Sequence, residues 1–214
     1  MTYGQAILLG FVQGVAEFLP ISSSGHLAVL QNFLAIGDME NHLLFDVLLH
    51  LGTLAAVFLA FRGEIRELWG EGLRMLHLRK TRRGEKPDGV KRRLIWFLIV
   101  ATVPLVLAVV LNRLVEDLYQ NTFFIGAAFL VTGFLLFTAD RMGHGNKTER
   151  SATLGDAVMV GLAQAAAVVP GLSRSGTTIS AGLLCGFDRN FAVKFSFLLS
   201  IPAVIGANLV SLVK

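Results

Sequence analysis

Two polar side chains, Gln13 and Glu17, stand four residues apart in an otherwise apolar segment near the N-terminus. On a helix this spacing places both side chains on one face. A carboxylate inside an apolar segment is costly to bury, so Glu17 is a candidate functional residue by default. The alternative is a structural carboxylate whose charge is satisfied by a neighbouring helix. Gly10 and Gly14 lie beside this pair and would let such a neighbour approach closely.

A run of small polar residues follows shortly afterwards, Ser22-Ser23-Ser24-Gly25-His26. If a short helix begins here, its N-terminal N–H groups and the serine hydroxyls form a ready site for an anion. Ordinary N-capping by a serine explains the same run equally well. His26 would lie in the first turn of that helix. A lone histidine in an apolar segment is more often a satisfied core group, but the polar turn that His26 shares with a nearby carboxylate makes acid–base chemistry a candidate role.

The second polar run, Ser173-Arg174-Ser175-Gly176-Thr177-Thr178, is more informative. Arg174 carries a permanent positive charge, and the residues before it are apolar or small. A buried guanidinium without a partner is prohibitive, so Arg174 requires a carboxylate or a phosphate. Its planar fork suits phosphate oxygens, and Ser173, Ser175 and Thr178 offer further donors. The competing interpretation is a structural ion pair with Glu17, which could also be the resting state of the same site.

Both runs interrupt long apolar segments, at about residues 4–34 and about residues 153–186. Each segment would fold as two short helices around a polar, glycine-containing turn. Irregular backbone at membrane depth must be buried in protein or line a watery cavity, so we expect two re-entrant helical hairpins. Simple membrane-spanning helices are predicted for four further segments of suitable length: Leu43–Phe61, Leu94–Leu111, Thr122–Ala139 and about Phe191–Val213.

The composition is typical of a membrane protein. Of the 214 residues, 54% are hydrophobic and only 16% are charged, and the mean hydropathy is +0.64. Soluble globular domains carry about 25% charged residues. The net charge of +4 does not indicate a nucleic-acid surface, because the basic residues concentrate between Arg62 and Arg93. Cys185 is the only cysteine, which excludes an intramolecular disulfide and a cysteine-based metal site.

The distribution of Lys and Arg predicts the orientation in the membrane. The Arg62–Arg93 segment carries 11 basic residues and is expected to be a cytoplasmic loop. The Asn112–Asn121 loop would then lie outside, and the Arg141–Arg150 loop would return to the cytoplasm. The first hairpin would enter from the outside and the second from the inside. We expect no cleavable signal peptide, because Gln13 and Glu17 interrupt the N-terminal apolar segment.

The two halves of the chain repeat one another. Gly10-x-x-Gln13 with Ser22-x-Ser24-Gly25 aligns, without a gap, on Gly161-x-x-Gln164 with Ser173-x-Ser175-Gly176. Since the hairpins are expected to enter from opposite faces, the repeat would be inverted, and the interrupted segments point to a shared site at the midplane. The alternative is that Gly and Ser simply recur at close helix contacts. We predict one polytopic membrane domain over residues 1–214, with repeat 1 at about 4–61 and repeat 2 at about 153–213.

These motifs resemble the signatures of the undecaprenyl-diphosphate phosphatase family, also called bacitracin-resistance proteins. The first signature is similar to Gln13–His26 and the second to Pro170–Gly176, and Phe45–Phe61 and Phe195–Ala207 also resemble the family. The resemblance implies an all-α integral membrane enzyme with an inverted repeat of re-entrant hairpins plus transmembrane helices. It implies hydrolysis of the C55 isoprenyl diphosphate to the monophosphate and inorganic phosphate. This reaction recycles the lipid carrier of peptidoglycan and cell-wall synthesis at the inner membrane, in a site open toward the outer face.

The resemblance also assigns roles to individual residues. Four positions take catalytic roles: Glu17, Ser23, His26 and Arg174. Six further positions would contact the substrate: Gln13, Ser22, Ser24, Ser173, Ser175 and Thr178. A divalent cation, Mg²⁺ or Ca²⁺, is associated with the family and would be held by Glu17 and substrate oxygens. The nucleophile is either Ser23 or a water. Two departures from the family's pattern stand out. Ala16 lies where the family usually has threonine, and family members commonly continue with further spans beyond the position of Lys214.

A transporter or flippase for a lipid phosphate is the main competing class, because inverted repeats with broken helices are more typical of carriers than of enzymes. A carrier needs Arg174 but not the set of Ser23, His26 and Glu17. A catalytically inactive scaffold is a weaker interpretation. Lipid phosphatases of the acid-phosphatase type are excluded, because they need a histidine after the arginine and none follows His144. The expected partners are the isoprenyl diphosphate lipid and the bilayer, no nucleic acid is expected, and a homo-oligomer is left open.

Overall fold

The computed structural model describes residues 1–34, 36, 39–78, 87–110, 118, 121–142 and 145–213. In these residues the regular secondary structure is helical, apart from one isolated bridge between Lys147 and Phe187. The helices, in chain order, are α1 (Tyr3–Phe18), α2 (Ser23–Phe33), α3 (Met39–Ala60), α4 (Arg62–Met75), α5 (Gly89–Val110), α6 (Thr122–Met142), α7 (Leu154–Ala166), α8 (Arg174–Leu184) and α9 (Arg189–Val213). The prediction of an all-α protein is therefore confirmed for the described part of the chain.

Two of the described helices, α6 and α9, are long and apolar enough to cross a membrane. The pair α3 and α4 also passes this test when taken together, although the two helices meet at an angle of 84°. The predicted span Leu94–Leu111 coincides with α5 up to Val110, and residue 111 lies outside the described residues. The predicted loop Asn112–Asn121 lies almost entirely outside them as well. By these helices the chain is a helical membrane protein.

The basic segment Arg62–Arg93 was predicted as a loop, but much of it is helical. α4 fills its first half, and α5 begins before its end, while residues 79–86 lie outside the described part. The helix forms because it is rich in Arg, Glu and Leu, which are good helix formers. Its apolar face is stabilised by packing, since Ile65 and Leu68 lie against the core. Glu71, only 2% exposed, accepts a hydrogen bond from Arg92 at 2.7 Å and thereby fastens α4 to α5.

The best-packed part of the protein lies where α5, α7, α8 and α9 meet. α7 approaches α5 closely because Gly161 has no side chain, and a Cβ there would lie 2.6 Å from the carbonyl oxygen of Ala101. Phe187 packs against Phe191 and Phe195, with ring centroids 4.6 Å and 6.0 Å away. This apolar cluster anchors α8, and it thereby fixes the position of the second polar run at the start of that helix.

Each polar run lies at a break between two helices that pack against one another, α1 on α2 and α7 on α8. The breaks cover residues 19–22 and 167–173. Ser22 has a φ of 70°, a conformation that residues other than glycine rarely adopt. Gly171 has a φ of 89°, which a glycine adopts without a steric cost. Each break therefore contains one residue in a left-handed backbone conformation, where the chain turns from the first helix of the pair to the second.

The second helix of each pair starts in the same way. Ser22 Oγ accepts the N–H of Gly25 at 3.3 Å, and Ser173 Oγ accepts the N–H of Gly176 at 3.0 Å. Both helices contain 11 residues. Ser22 and Ser173 are thus N-caps, which satisfies one of the free N–H groups at each helix start. The N–H groups of Ser23 and Ser24 in α2, and of Arg174 and Ser175 in α8, have no partner within their helices and could donate to an anion.

The two turns touch through their glycines. A Cβ on Gly25 would lie 2.5 Å from Cε1 of Phe129 and 2.9 Å from the Cα of Gly171. A Cβ on Gly176 would lie 3.0 Å from the carbonyl oxygen of Pro20. Real Cβ atoms essentially never approach another atom to less than 3.0 Å. Each turn therefore packs against the start of the helix that follows the other turn, and Gly25 in particular leaves no room for a larger residue.

Candidate active site

The Glu17 carboxylate is the point at which the two polar runs meet. Its Oε1 accepts a hydrogen bond from Nη2 of Arg174 at 2.5 Å, and this contact is also an ion pair. Its Oε2 accepts hydrogen bonds from Ser23 Oγ at 2.6 Å and from Gln13 Nε2 at 3.1 Å. The side chain of Glu17 is 12% exposed. One buried carboxylate therefore holds a serine hydroxyl and a guanidinium that come from opposite halves of the sequence.

Gln13 faces Glu17 from one helical turn earlier, as their spacing predicts. Its side chain is 1% exposed, and its Oε1 has no hydrogen-bond partner among the described residues. A buried polar atom that lacks a partner carries a desolvation cost. The Gln13 amide oxygen is thus an acceptor that a water, a cation or a hydrogen-bond donor on a ligand can use.

Arg174 is the first residue of α8, and its environment is less free than the sequence suggests. The structural ion pair with Glu17, one of the two interpretations of this arginine, is present. Thr178, predicted as a donor to substrate, is 2% exposed and donates its hydroxyl hydrogen to the Arg174 carbonyl at 2.8 Å. Ser173 is 1% exposed and engaged as the helix cap. Ser175, half-buried beside them, keeps its hydroxyl 3.3 Å from that of Ser173.

His26 lies apart from the Glu17 cluster in the described contacts. Its Nδ1 lies 2.8 Å from the Ser22 carbonyl oxygen, and because a carbonyl can only accept, Nδ1 carries the hydrogen. Its ring packs against Phe129 of α6, with the centroids 4.7 Å apart. In the neutral ring Nε2 then carries no hydrogen and is an acceptor. Of the four residues predicted as catalytic, the structure joins Glu17, Ser23 and Arg174 directly. It places His26 one turn further along α2 than Ser23. Ser24, between them, is half-buried.

Several supporting residues escaped the sequence analysis. Thr132, buried in α6, accepts the N–H of Ser173 at 3.1 Å and donates to the Gly171 carbonyl at 3.3 Å. Ser196, buried in α9, places its Oγ 2.6 Å from Thr178 Oγ1. A single hydroxyl in an apolar span gives no periodic signal. The spacing of Ser196 and Ser200, one helical turn apart on the apolar α9, was the only available hint.

A small cavity adjoins the ion pair. Its lining is formed by residues of α1, α3, α8 and α9: Glu17, Val57, Arg174, Ser175, Ser196, Phe197 and Ser200. Phe197 stacks on Phe18 and on Phe61, with centroid distances of 5.9 Å and 5.7 Å. The apolar part of the lining is therefore held in place by aromatic contacts, and the rest of the lining carries hydroxyls and charges.

A larger surface groove lies at the start of α9, but it contains none of the predicted catalytic residues. Lys194 donates to Glu149 there at 2.9 Å, and Arg189 donates to Asp140 at 2.6 Å. Burial alone would raise the pKa of Glu149, but the hydrogen bond from Lys194, a backbone hydrogen bond and the charges of Lys194 and Arg150 together outweigh burial, so the pKa lies below its ordinary value. This groove is a network of ion pairs that ties the loop before α7 to α9, and we assign the chemistry to the Glu17 cluster.

The described residues offer only part of a metal site. No three His, Cys, Asp or Glu side chains come together in that part of the chain. Mg²⁺ is usually bound by one or two carboxylates together with substrate phosphates. The Glu17 carboxylate and the unpartnered Gln13 oxygen fit this pattern, because the remaining ligands would be phosphate oxygens and water. The residues therefore suit a cation that binds together with a diphosphate.

The fold and the site define a helical membrane protein in which a serine and an arginine share one buried carboxylate. The chain belongs to the BacA family: the family model described as "Bacitracin resistance protein BacA" matches residues 6–214. The family resemblance seen in the two motifs is therefore confirmed.

Individual relatives are similar over nearly the whole chain. An undecaprenyl-diphosphatase of Methanobrevibacter smithii is 45% identical over 213 residues, which cover 97% of this chain and 76% of the relative. Proteins of the same name from Alkaliphilus metalliredigens and Methanosphaera stadtmanae are 44% and 42% identical, with the same coverage of both chains. The chain thus spans about three-quarters of the length of these relatives.

Proposed function

We propose that this protein hydrolyses undecaprenyl diphosphate to undecaprenyl phosphate and inorganic phosphate, at the inner membrane, and thereby recycles the lipid carrier of cell-wall synthesis. The observation that carries this proposal is the meeting of Ser23, Arg174 and Glu17 at one carboxylate. A lipid carrier protein would need the arginine but has no use for a serine hydroxyl held by a general base. The names of the relatives point the same way, so the flippase alternative is not favoured.

Ser23 is the nucleophile in this mechanism. Its Oγ donates to Glu17 at 2.6 Å, which is the geometry required for a carboxylate that accepts the serine proton. The serine oxygen forms a bond to the terminal phosphorus, and the bond from this phosphorus to the bridging oxygen breaks. The electron pair stays with the bridging oxygen of the departing lipid phosphate. The serine proton passes through Glu17 to that leaving group, and Ser23 remains phosphorylated until water removes the phosphoryl group.

In this mechanism Arg174 pairs first with Glu17 and then with the substrate phosphate. In the structure its guanidinium neutralises Glu17, which allows both groups to lie in an apolar setting. When a diphosphate enters, its terminal oxygens compete for the planar guanidinium, which can grip two of them at once. Glu17 is then released from the ion pair and can accept the Ser23 proton. Substrate binding would thereby free the Glu17 carboxylate to act as the general base.

Other polar groups would complete the site. The first-turn N–H groups of α2, with the Ser22 to Ser24 run, can receive phosphate oxygens. His26, through Nε2, would exchange a proton with water or with the leaving group. A divalent cation held by Glu17, the Gln13 amide oxygen and the substrate would neutralise charge on the phosphate oxygens. Thr178 and Ser173 support Arg174 from behind.

We propose that residues 4–61 and 153–213 are inverted repeats within one domain, each with a re-entrant hairpin. The equivalent serine caps of α2 and α8 and the reciprocal glycine contacts support this relation. Inverted repeats with interrupted helices place their shared site near the bilayer midplane. The proposed orientation has the basic α4 segment in the cytoplasm and the segment before α6 outside, and a homo-oligomer is compatible with it.

Cysteine labelling tests this orientation. In a Cys185→Ser background, Arg66→Cys on α4 and Asn121→Cys before α6 each introduce one thiol at an exposed position. An impermeant maleimide should label Asn121→Cys in intact cells and should label Arg66→Cys only after the membrane is opened. Labelling of Arg66→Cys in intact cells would reverse the orientation.

The activity itself is tested with purified protein in detergent. Undecaprenyl diphosphate should be converted to the monophosphate with one inorganic phosphate per lipid. A chelator should suppress the reaction, and Mg²⁺ or Ca²⁺ should restore it. The phosphatase proposal fails if no phosphate is released with either metal while reconstituted vesicles still move the lipid phosphate between leaflets.

A further inference from the structure

The cavity beside the ion pair is lined by two hydroxyls for which the mechanism above has no role. Ser196 and Ser200 stand one turn apart on α9 and line this cavity together with Glu17, Arg174 and Ser175. The space open to the centre of a water molecule is about 10 Å³, which is roughly what one water requires. The cavity is therefore lined mainly by polar side chains and is too small for a phosphate or a sugar.

The hydrogen bonds of these serines show what they can offer. Thr178 has one hydroxyl hydrogen, and it goes to the Arg174 carbonyl at 2.8 Å, because a carbonyl can only accept. In the 2.6 Å contact between Thr178 and Ser196, Ser196 is consequently the donor. Ser200 donates its own hydrogen to the Phe197 carbonyl at 2.7 Å. Both serines thus turn only lone pairs toward the cavity.

The lone pairs that Ser196 and Ser200 turn toward the cavity determine which molecule can occupy it. Two acceptors beside the Glu17 carboxylate repel a phosphate oxygen, which is itself an acceptor. The Arg174 guanidinium in the same lining repels a cation. The cation proposed above would instead bind on the side of Gln13, which does not line this cavity. A small neutral molecule that donates two hydrogen bonds and can accept one from Arg174 fits, and water is such a molecule.

We propose that Ser196 and Ser200 hold the water that hydrolyses phosphorylated Ser23. This inference rests on the proposed function and assigns its second step to named residues. The water would donate to a serine and to Glu17, and its free lone pair would face the phosphoryl group that Ser23 carries. The two serines are water-positioning residues. Ser196 also donates to Thr178, but Thr178 keeps its own hydrogen bond to the Arg174 carbonyl without Ser196, so the first step requires neither serine.

Hydrolysis of the phosphoserine consumes one water and regenerates the serine. The water oxygen forms a bond to the phosphorus of the phosphoserine, and the bond between phosphorus and Ser23 Oγ breaks with its electron pair on Oγ. Glu17 takes one proton from the water and delivers it to Oγ. The products are inorganic phosphate and the free serine, so the site returns to its starting state.

The double variant Ser196→Ala/Ser200→Ala separates the two steps. It should release the first lipid monophosphate in each enzyme molecule as fast as the wild type does. Steady-state release of inorganic phosphate should fall on the order of ten- to a hundred-fold, the usual effect of a misplaced reactant. Rapid acid quenching with substrate labelled on the terminal phosphate should then trap labelled phosphate on Ser23, detected by peptide mass. Each single variant should show a smaller effect of the same kind.

Ser180→Ala is the matched control. Ser180 is also a buried serine, its hydroxyl has no partner among the described residues, and it does not line the cavity. This variant should match the wild type in both phases. The inference is overturned if the double variant releases phosphate at the wild-type rate, or if both phases slow equally without trapped phosphoserine. A wild-type protein that releases no phosphate at all would instead refute the proposed function.

Discussion

Replacing Ser23 with alanine should reduce phosphate release by about 10⁴-fold or more, as expected when a nucleophile is removed from a catalytic set that acts as a unit. The hydroxyl that donates to Glu17 at 2.6 Å is the atom that would form the bond to phosphorus. The ion pair between Glu17 and Arg174 does not depend on this hydroxyl, so the protein should still fold and bind the lipid. The measurement is inorganic phosphate release from undecaprenyl diphosphate, together with lipid binding in detergent.

A direct attack by water on the diphosphate predicts a different result for Ser23→Ala. If water attacks the diphosphate directly, Ser23→Ala should slow the reaction only modestly, because the serine would then merely orient Glu17. Residual activity within about ten-fold of the wild type would therefore remove Ser23 as the nucleophile. The Ser180→Ala variant serves again as the comparison for the loss of a buried hydroxyl elsewhere.

Replacing Arg174 with lysine should lower turnover on the order of 10²–10³-fold, the typical cost of losing one well-placed charge stabiliser. Lysine keeps the charge and can still neutralise Glu17, so thermal stability should change little. It lacks the planar fork that grips two phosphate oxygens in a fixed geometry, which is the property needed as charge develops on the transferred group. Values of kcat and KM, measured separately, locate the loss, and we expect it mainly in kcat.

Arg189→Lys provides the control for this substitution. Arg189 pairs with Asp140 at 2.6 Å at an exposed position, so its conversion to lysine should leave kcat and KM unchanged. A result in which Arg174→Lys weakens lipid binding but leaves the rate per bound lipid unchanged would assign this arginine to ground-state binding alone. That result would favour a carrier-like site.

The sequence predicted the fold best where hydropathy and helix breakers act together. The apolar spans and the two interrupted segments follow from composition and from the polar runs, and the helices of the structure coincide with them. The basic segment after Ala60 was harder, because charge counts predict the side of the membrane but not the local conformation. There, alternation of charged residues with Ile65, Leu68 and other apolar residues formed α4 against the core.

Within the site, sequence reasoning recognised groups that are costly to bury alone. Glu17 and Arg174 each required a partner, and they are each other's partner. His26 differs, because a histidine can be satisfied in many ways: the aromatic ring of Phe129 and a local carbonyl decide where its ring lies. The roles of Thr132 and Ser196 could not be predicted, since their hydrogen bonds depend on which atoms of neighbouring helices come within reach.

The ion pair at the centre of the site also constrains how the protein is made. Glu17 and Arg174 are separated by 157 residues. A ribosome adds about 5–20 residues per second, so the guanidinium follows the carboxylate by roughly 8–30 s. During this time the N-terminal helices have no arginine from the C-terminal half to neutralise Glu17, and a lone carboxylate is costly in hydrocarbon. The Glu17 carboxylate can therefore be fully buried only after the C-terminal helices have been made. Docking of the two halves is thus a late step of membrane insertion.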